Sequence, residues 1–166
     1  MKTIFKTLAI LFISILSISC NNDDDNSSSD SPQPTNDNFI RATVDGVFYE
    51  ATGTAVTGDQ NALAFNFRSD ISGAGTGFDI SINGQAAVGT YALNYSNAAT
   101  AGRLNYKLNG DIYSSGICNT SSGTLTISAI SGKTIVGTFA FTGKKALGCS
   151  SPAKVITNGA FKVTFP

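Results

Sequence analysis

The chain has 166 residues, 42% of them hydrophobic and 13% charged, a balance that excludes wholesale disorder and leaves room for one domain with a buried core. Its formal net charge is zero and it contains no histidine, so histidine-based catalytic triads and histidine zinc sites are excluded at the outset. Seventeen glycines, with plentiful Ser, Thr and Ala, favour short strands joined by tight turns.

Lys2 and Lys6 precede an apolar run at residues 8–18, LAILFISILSI, interrupted only by Ser14 and Ser17. That length suits the apolar core of an export signal and falls short of the ~20 residues a helix needs to cross the hydrocarbon. The run ends in Leu16-Ser17-Ile18-Ser19-Cys20, which resembles the lipobox of lipoprotein signal peptides, although the leucine stands one place further from the cysteine than is usual. The resemblance implies that residues 1–19 are a removed signal peptide and that Cys20 receives the lipid, which makes a membrane the first expected partner.

Residues 21–38, NNDDDNSSSDSPQPTNDN, contain no aliphatic or aromatic side chain. Such a stretch has nothing to bury, so residues 20–38 are expected to form the lipidated cysteine and a disordered, acidic and Ser-rich tether. Asp23-Asp24-Asp25 looks like the acidic export signal of many Bacteroidota surface lipoproteins. That likeness implies an outer-membrane, lipid-anchored protein at the cell surface; a periplasm-facing protein with a solubilising acidic linker is the other reading.

Processing would remove two bases, leaving nine against eleven acids, a net charge of −2. From residue 103 onward seven bases face Asp111 alone. We expect these bases on exposed strand positions, where lysines keep sheet edges soluble; nucleic-acid binding would need denser Lys/Arg clusters, and no nucleic-acid partner is expected.

From residue 39 the hydrophobic period is two rather than 3.6. Residues 39–44 and 47–52 flank Asp45-Gly46, a dipeptide suited to the positive φ angles of a two-residue hairpin turn. The turn sets a register in which Val44 faces Val47, Ala42 faces Tyr49, and Arg41 faces Glu50, the chain's only glutamate. Asn83-Gly84, Asn109-Gly110 and Asn158-Gly159 repeat the signal and predict further hairpins. Leu63, Phe65 and Phe67 alternate on one face, then Phe78, Ile80 and Ile82, then Leu104, Tyr106 and Leu108, with Tyr113 opposite Tyr106 across a tight turn. Leu125 and Ile127 mark another strand, followed by Ile135, Phe139 and Phe141, then Ile156, and finally Phe161, Val163 and Phe165. About ten short strands predict an all-β domain over residues 39–166, an antiparallel β-sandwich or flattened barrel.

The segments ATVDGVFYEA, VGTYAL, SGTLTISAISGKTIVGTFAFTG and ITNGAFKVTF together resemble a family of short uncharacterised lipoproteins common in Flavobacteria and other Bacteroidota. The resemblance spans nearly the whole domain. It rests on turn glycines and core residues, so it implies fold and location and carries over no catalytic residue and no cofactor.

Candidates for chemistry are few. Among the carboxylates, Asp45 belongs to a turn, Glu50 has Arg41 opposite, Asp59 is read in a Gly58-Asp59-Gln60-Asn61 loop, and Asp111 follows a turn. Asp70 and Asp79 alone lack a local explanation. Gly73-Ala74-Gly75-Thr76-Gly77 has glycines in the wrong spacing for a phosphate loop and runs into strand residues, so it reads as a flexible loop. With Cys20 taken by lipid, Cys118 and Cys149 are expected to form one disulfide, since an exported chain meets an oxidising compartment. The lack of a CxxC spacing argues against a redox pair. No catalytic or metal-binding residues are assigned. Tyr49, Tyr91, Tyr95, Tyr106 and Tyr113 could supply a sugar platform, with Tyr95 the most exposed candidate. The expected function is a membrane-tethered, non-enzymatic structural or interaction domain; a carbohydrate- or small-ligand-binding accessory lipoprotein is the alternative, and any glycan or protein partner is unassigned.

Overall fold

Alternating side chains make strands here, and turn chemistry decides where they end. A computed structural model describes residues 37–69, 75–145 and 147–166. The expectations for the signal peptide, for Cys20, for most of the tether and for Asp70, Gly73 and Ala74 lie outside the described residues. The described strands belong to one compact unit, Pro34–Pro166.

In chain order the strands are β1 (Phe39–Val44), β2 (Val47–Thr52), β3 (Val56–Gln60), β4 (Ala64–Ser69), β5 (Gly77–Asn83), β6 (Gly89–Ala92), β7 (Gly102–Leu108), β8 (Asp111–Ser114), β9 (Ser122–Ser131), β10 (Thr134–Lys145) and β11 (Lys154–Thr164). Among the described residues a 3₁₀ turn, Gly53–Ala55, and one short helix, α1 (Ala98–Ala101), complete the elements.

All pairings are antiparallel, in the order β2-β1-β11-β10-β8-β7-β5-β4-β3, with β9 added to β10 and β6 to β9. The nine-strand path folds over on itself through β10, which is long enough to serve two neighbours on one side. Its first part pairs with β9, while Lys144 and Lys145 at its end pair with Ser114 and Tyr113 of β8. At the other edge the Gly53–Ala55 turn carries the chain from β2 to β3. The result is a nearly closed, flattened barrel, which resolves the choice between sandwich and barrel.

The inward faces of the two walls form one core. Phe65, Phe67, Phe78, Ile80, Ile82 and Leu104 meet Ile40, Leu125, Ile127, Phe139, Phe161 and Val163, all essentially removed from solvent. Ring contacts tie the walls together: Phe67 lies 4.5 Å from Phe161 and Phe78 lies 5.2 Å from Phe139, centroid to centroid.

The first hairpin follows its predicted register through Val44–Val47, Ala42–Tyr49 and Arg41–Glu50. Asp45 and Gly46 take φ angles of 48° and 85°, the left-handed conformations this turn requires. The Asn109-Gly110 turn also closes as predicted, with Tyr106 opposite Tyr113.

Two other Asn-Gly pairs do something else. Asn83-Gly84 ends β5 without making a hairpin, because β5 pairs with β4 and β7 while β6 crosses over to β9. Asn158-Gly159 lies inside β11 as a bulge. Between Thr157 and Ala160 the strand advances three residues while β1 advances two, from Thr43 to Arg41. Asn158 absorbs the extra residue at a φ of 52°. Ile156 and Phe161 are an odd number of residues apart and would point to opposite faces of a regular strand; the bulge lets both enter the core.

Leu63 also departs from expectation. It is 80% exposed, in a turn where the Asn61 side chain accepts hydrogen bonds from the backbone N–H groups of Leu63 and Ala64. That cap starts β4 one residue later, so the alternating set is Phe65 and Phe67 alone.

Asn38, assigned to the tether by composition, is buried. Its side-chain oxygen accepts from the Thr164 N–H, its amide donates to the Val56 carbonyl, and its own carbonyl accepts from the Gly53 N–H. One polar residue thus pins the start of β3 to the end of β11, a role that a search for apolar residues passes over.

Candidate functional site

Cys118 follows β8 and Cys149 follows β10, and a disulfide joins them with their Cα atoms 5.7 Å apart. The Gly132-Lys133 turn is the local cause: it brings Ser131 opposite Thr134, so β9 and β10 run back together and return both cysteines to the far end of the hairpin. A crosslink spanning 31 residues restrains the unfolded chain by roughly 3 to 4 kcal/mol. We expect the Cys118→Ala, Cys149→Ala double variant to lose about that much in urea unfolding. A loss of less than about 1 kcal/mol would show that the bridge constrains little.

The acidic side chains among the described residues divide into two sets. Glu50 sits 4.0 Å from Arg41, Asp111 2.7 Å from Lys145, Asp45 2.6 Å from Lys154, and Asp37 is paired with Lys162. Asp45 accepts from the Lys154 ammonium and from the Val155 N–H, and these bonds hold its carboxyl below the ordinary value of 3.8. The same contact raises the Lys154 ammonium above its usual range. These pairs correct the expectation that the lysines line sheet edges. Lys144 and Lys145 lie on β10, and Lys154 and Lys162 on β11, inside the strand order, whereas the edge strands β2, β3 and β6 carry no lysine. Three of the four meet an acid there, and Lys144 donates to the Ser151 carbonyl.

The second set lies together on the outer face of β3, β4 and β5. Asp59, expected in a loop, is in β3, because Asn61 starts the turn two residues later. Cross-strand register places Thr57 beside Arg68 and Arg68 beside Asp79; in the next row, Asp59 stands beside Asn66 and Asn66 beside Ser81. Directly opposite residues lie ~5 Å apart at Cβ and successive outward residues on a strand lie ~6.7 Å apart. An open cleft of about 270 Å³ lies there, lined by Thr57, Asp59, Asn66, Arg68 and Asp79 together with Gly58 and Phe67 of the intervening positions. Among the described residues, none of the ion pairs uses Arg68, Asp59 or Asp79.

Of the two unexplained aspartates, Asp79 therefore lies in this cleft and Asp70 lies outside the described residues. Arg68, Asn66, Thr57 and Asp59 escape a search for site residues by sequence. Their signal is present: each is the polar half of an alternating pattern whose apolar half is core. Only the neighbour relations among the three strands make them a group.

The tyrosines do not assemble a platform. Tyr106 and Tyr113 are buried, and burial raises the Tyr106 phenol above its usual range. Tyr49 donates to Ser69 Oγ at 2.9 Å, and Tyr91 donates to the Ala87 carbonyl at 2.8 Å. Tyr95 is 54% exposed, as the sequence suggested, and is the most exposed of the five.

Against known proteins, residues 36–163 match a family model described as a domain of unknown function. No curated protein and no solved structure matches the chain.

Proposed function

The chain belongs to the DUF6252 family, and from the features of its own sequence we propose that it is an exported lipoprotein, held in the outer membrane by lipid on Cys20 and displayed at the cell surface, whose β domain acts by contact rather than catalysis. The observation carrying this reading is the order of features along the chain. A basic start and an apolar run end at Cys20, an acidic polar stretch follows, and from Phe39 the sequence turns to alternating apolar residues, with Asn38 buried beside them. Each lipid methylene buried contributes about 0.8 kcal/mol, so several acyl chains on one cysteine hold a stable anchor. The bulge, the pinned Asn38 and the buried rings each have a packing reason, which supports a structural or interaction domain.

The experiment is fractionation of cells expressing the whole chain or its Cys20→Ser variant. We expect the parent in the outer-membrane fraction, labelled by a fatty-acid probe and cut by protease added to intact cells; the variant is expected to lose the label and the attachment. Unchanged attachment of the variant would overturn the lipid anchor. Turnover of a polysaccharide or ester by the purified protein, lost on Asp79→Asn, would overturn the non-enzymatic reading.

The cleft on β3, β4 and β5 favours a second reading, a carbohydrate- or small-ligand-binding accessory lipoprotein. Polar groups of both signs converge there on an open concave surface.

A further inference from the structure

Resting on that second reading, we propose that the cleft of Thr57, Asp59, Asn66, Arg68 and Asp79 binds a neutral sugar ring through adjacent hydroxyl groups. Arg68 is the centre of the arrangement. It stands between Thr57 and Asp79 in one row, and Asn66, two residues along the same strand, stands beside Asp59 in the next. The site therefore offers donors in the middle, from the guanidinium and the amide, with carboxylate acceptors on two sides.

The charge pattern selects the ligand class. An anion approaching Arg68 meets two carboxylates, Asp59 and Asp79, and a cation approaching either carboxylate meets Arg68. A hydroxyl group both donates and accepts, so a neutral pair of adjacent hydroxyls can satisfy a carboxylate and the guanidinium together. A volume of about 270 Å³ falls at the small end of ligand clefts, which suits one ring rather than a long chain segment.

Packing explains why aromatic stacking is missing. Phe65 and Phe67 alternate with Asn66 and Arg68 on β4; Phe67 borders the cleft, but it is buried and its ring lies 4.5 Å from Phe161 in the core, so no ring face is offered to a ligand. Recognition then depends on charge-assisted hydrogen bonds, and affinity for a single ring is expected in about the millimolar range.

The test is heteronuclear NMR on the chain from residue 20 onward carrying Cys20→Ser, titrated with glucose, galactose and mannose, and in separate arms with inorganic phosphate and acetate. At least one sugar should shift the backbone amides of β3, β4 and β5 around Asn66, Arg68 and Asp79. Arg68→Ala and Asp79→Asn should each weaken it by about tenfold or more. Both are outward-facing, so thermal midpoints near the parent's would show that the fold is intact. No shifts from any sugar, or stronger binding of phosphate or acetate than of sugar, overturns the proposal. Shifts centred on Tyr95 and unaffected by Arg68→Ala also overturn it, while leaving the carbohydrate-binding reading standing.

Discussion

Phe78→Ala is expected to lower the unfolding free energy by about 3 to 5 kcal/mol, a large share of the 5 to 15 kcal/mol that holds a domain of this size together. Phe78 is fully buried at the meeting point of the two walls. Its ring lies 5.3 Å from Tyr49, 5.2 Å from Tyr106, 5.2 Å from Phe139 and 6.4 Å from Phe141. Truncation removes apolar burial, leaves a cavity bordered by both walls, and ends several edge-to-face contacts at once. The backbone limits relaxation: the Phe78 N–H donates to Ser69 Oγ at 2.7 Å, and Tyr49 donates to the same oxygen. The strand is therefore held in place while the ring's volume empties. Phe48→Ala is the control, since Phe48 is 63% exposed and its loss should change stability by no more than about 0.5 kcal/mol. Urea unfolding checks both. Equal losses for the two variants would mean that the core does not centre on Phe78.

The second large effect is Gly102→Ala. Gly102 opens β7 with a φ of 110°, outside the range L side chains ordinarily adopt, and it pairs with Ile82 at the end of the β5–β7 ladder. A Cβ there would stand 2.1 Å from the Ser81 carbonyl oxygen and 2.8 Å from the Ile82 Cα, both backbone atoms of the adjacent strand. No rotamer change relieves a collision with backbone, so β7 must move away from β5 or the rung must break. We expect a loss above about 3 kcal/mol, read as a lower urea midpoint and a fall in soluble yield. Gly110→Ala separates the two causes. Gly110 has a φ of 88° but open space around its missing side chain, so the conformational term alone, about 1 to 2 kcal/mol, should remain. If Gly102→Ala costs no more than Gly110→Ala, the strand contact is unimportant.

Outward side chains obey the same logic as the core. Asp45, Glu50 and Asp111 have local reasons that are legible in the sequence: Asp45 and Asp111 lie on or beside a two-residue turn, and Glu50 is set opposite Arg41 by the register of one. Arg41 duly faces Glu50, whereas the partners of Asp45 and Asp111 come from β11 and β10. The cleft is legible only in halves. Asn66 and Arg68 on β4, and Asp79 on β5, are visibly the polar complement of a buried alternation; Thr57 and Asp59 are hidden because Gly58-Asp59-Gln60-Asn61 has the composition of a loop and yet supplies most of β3.

By itself, the sequence determined what short-range chemistry can determine: strand character from period-two alternation, the two hairpins at Asp45-Gly46 and Asn109-Gly110, and an all-β class. Tertiary structure decided the rest. An Asn-Gly pair tolerates a left-handed backbone equally well in a turn, at a strand end or in a bulge, and only the burial of both Ile156 and Phe161 makes Asn158-Gly159 a bulge. Alternation says which face a side chain takes and not which strand lies beside it, so the crossing of β6 to β9 and the closure through β10 depend on which walls can bury each other. Asn38 is the sharpest case, a polar residue without any apolar pattern, buried where its amide and carbonyl groups meet backbone groups at the start of β3, the end of β11 and the turn after β2.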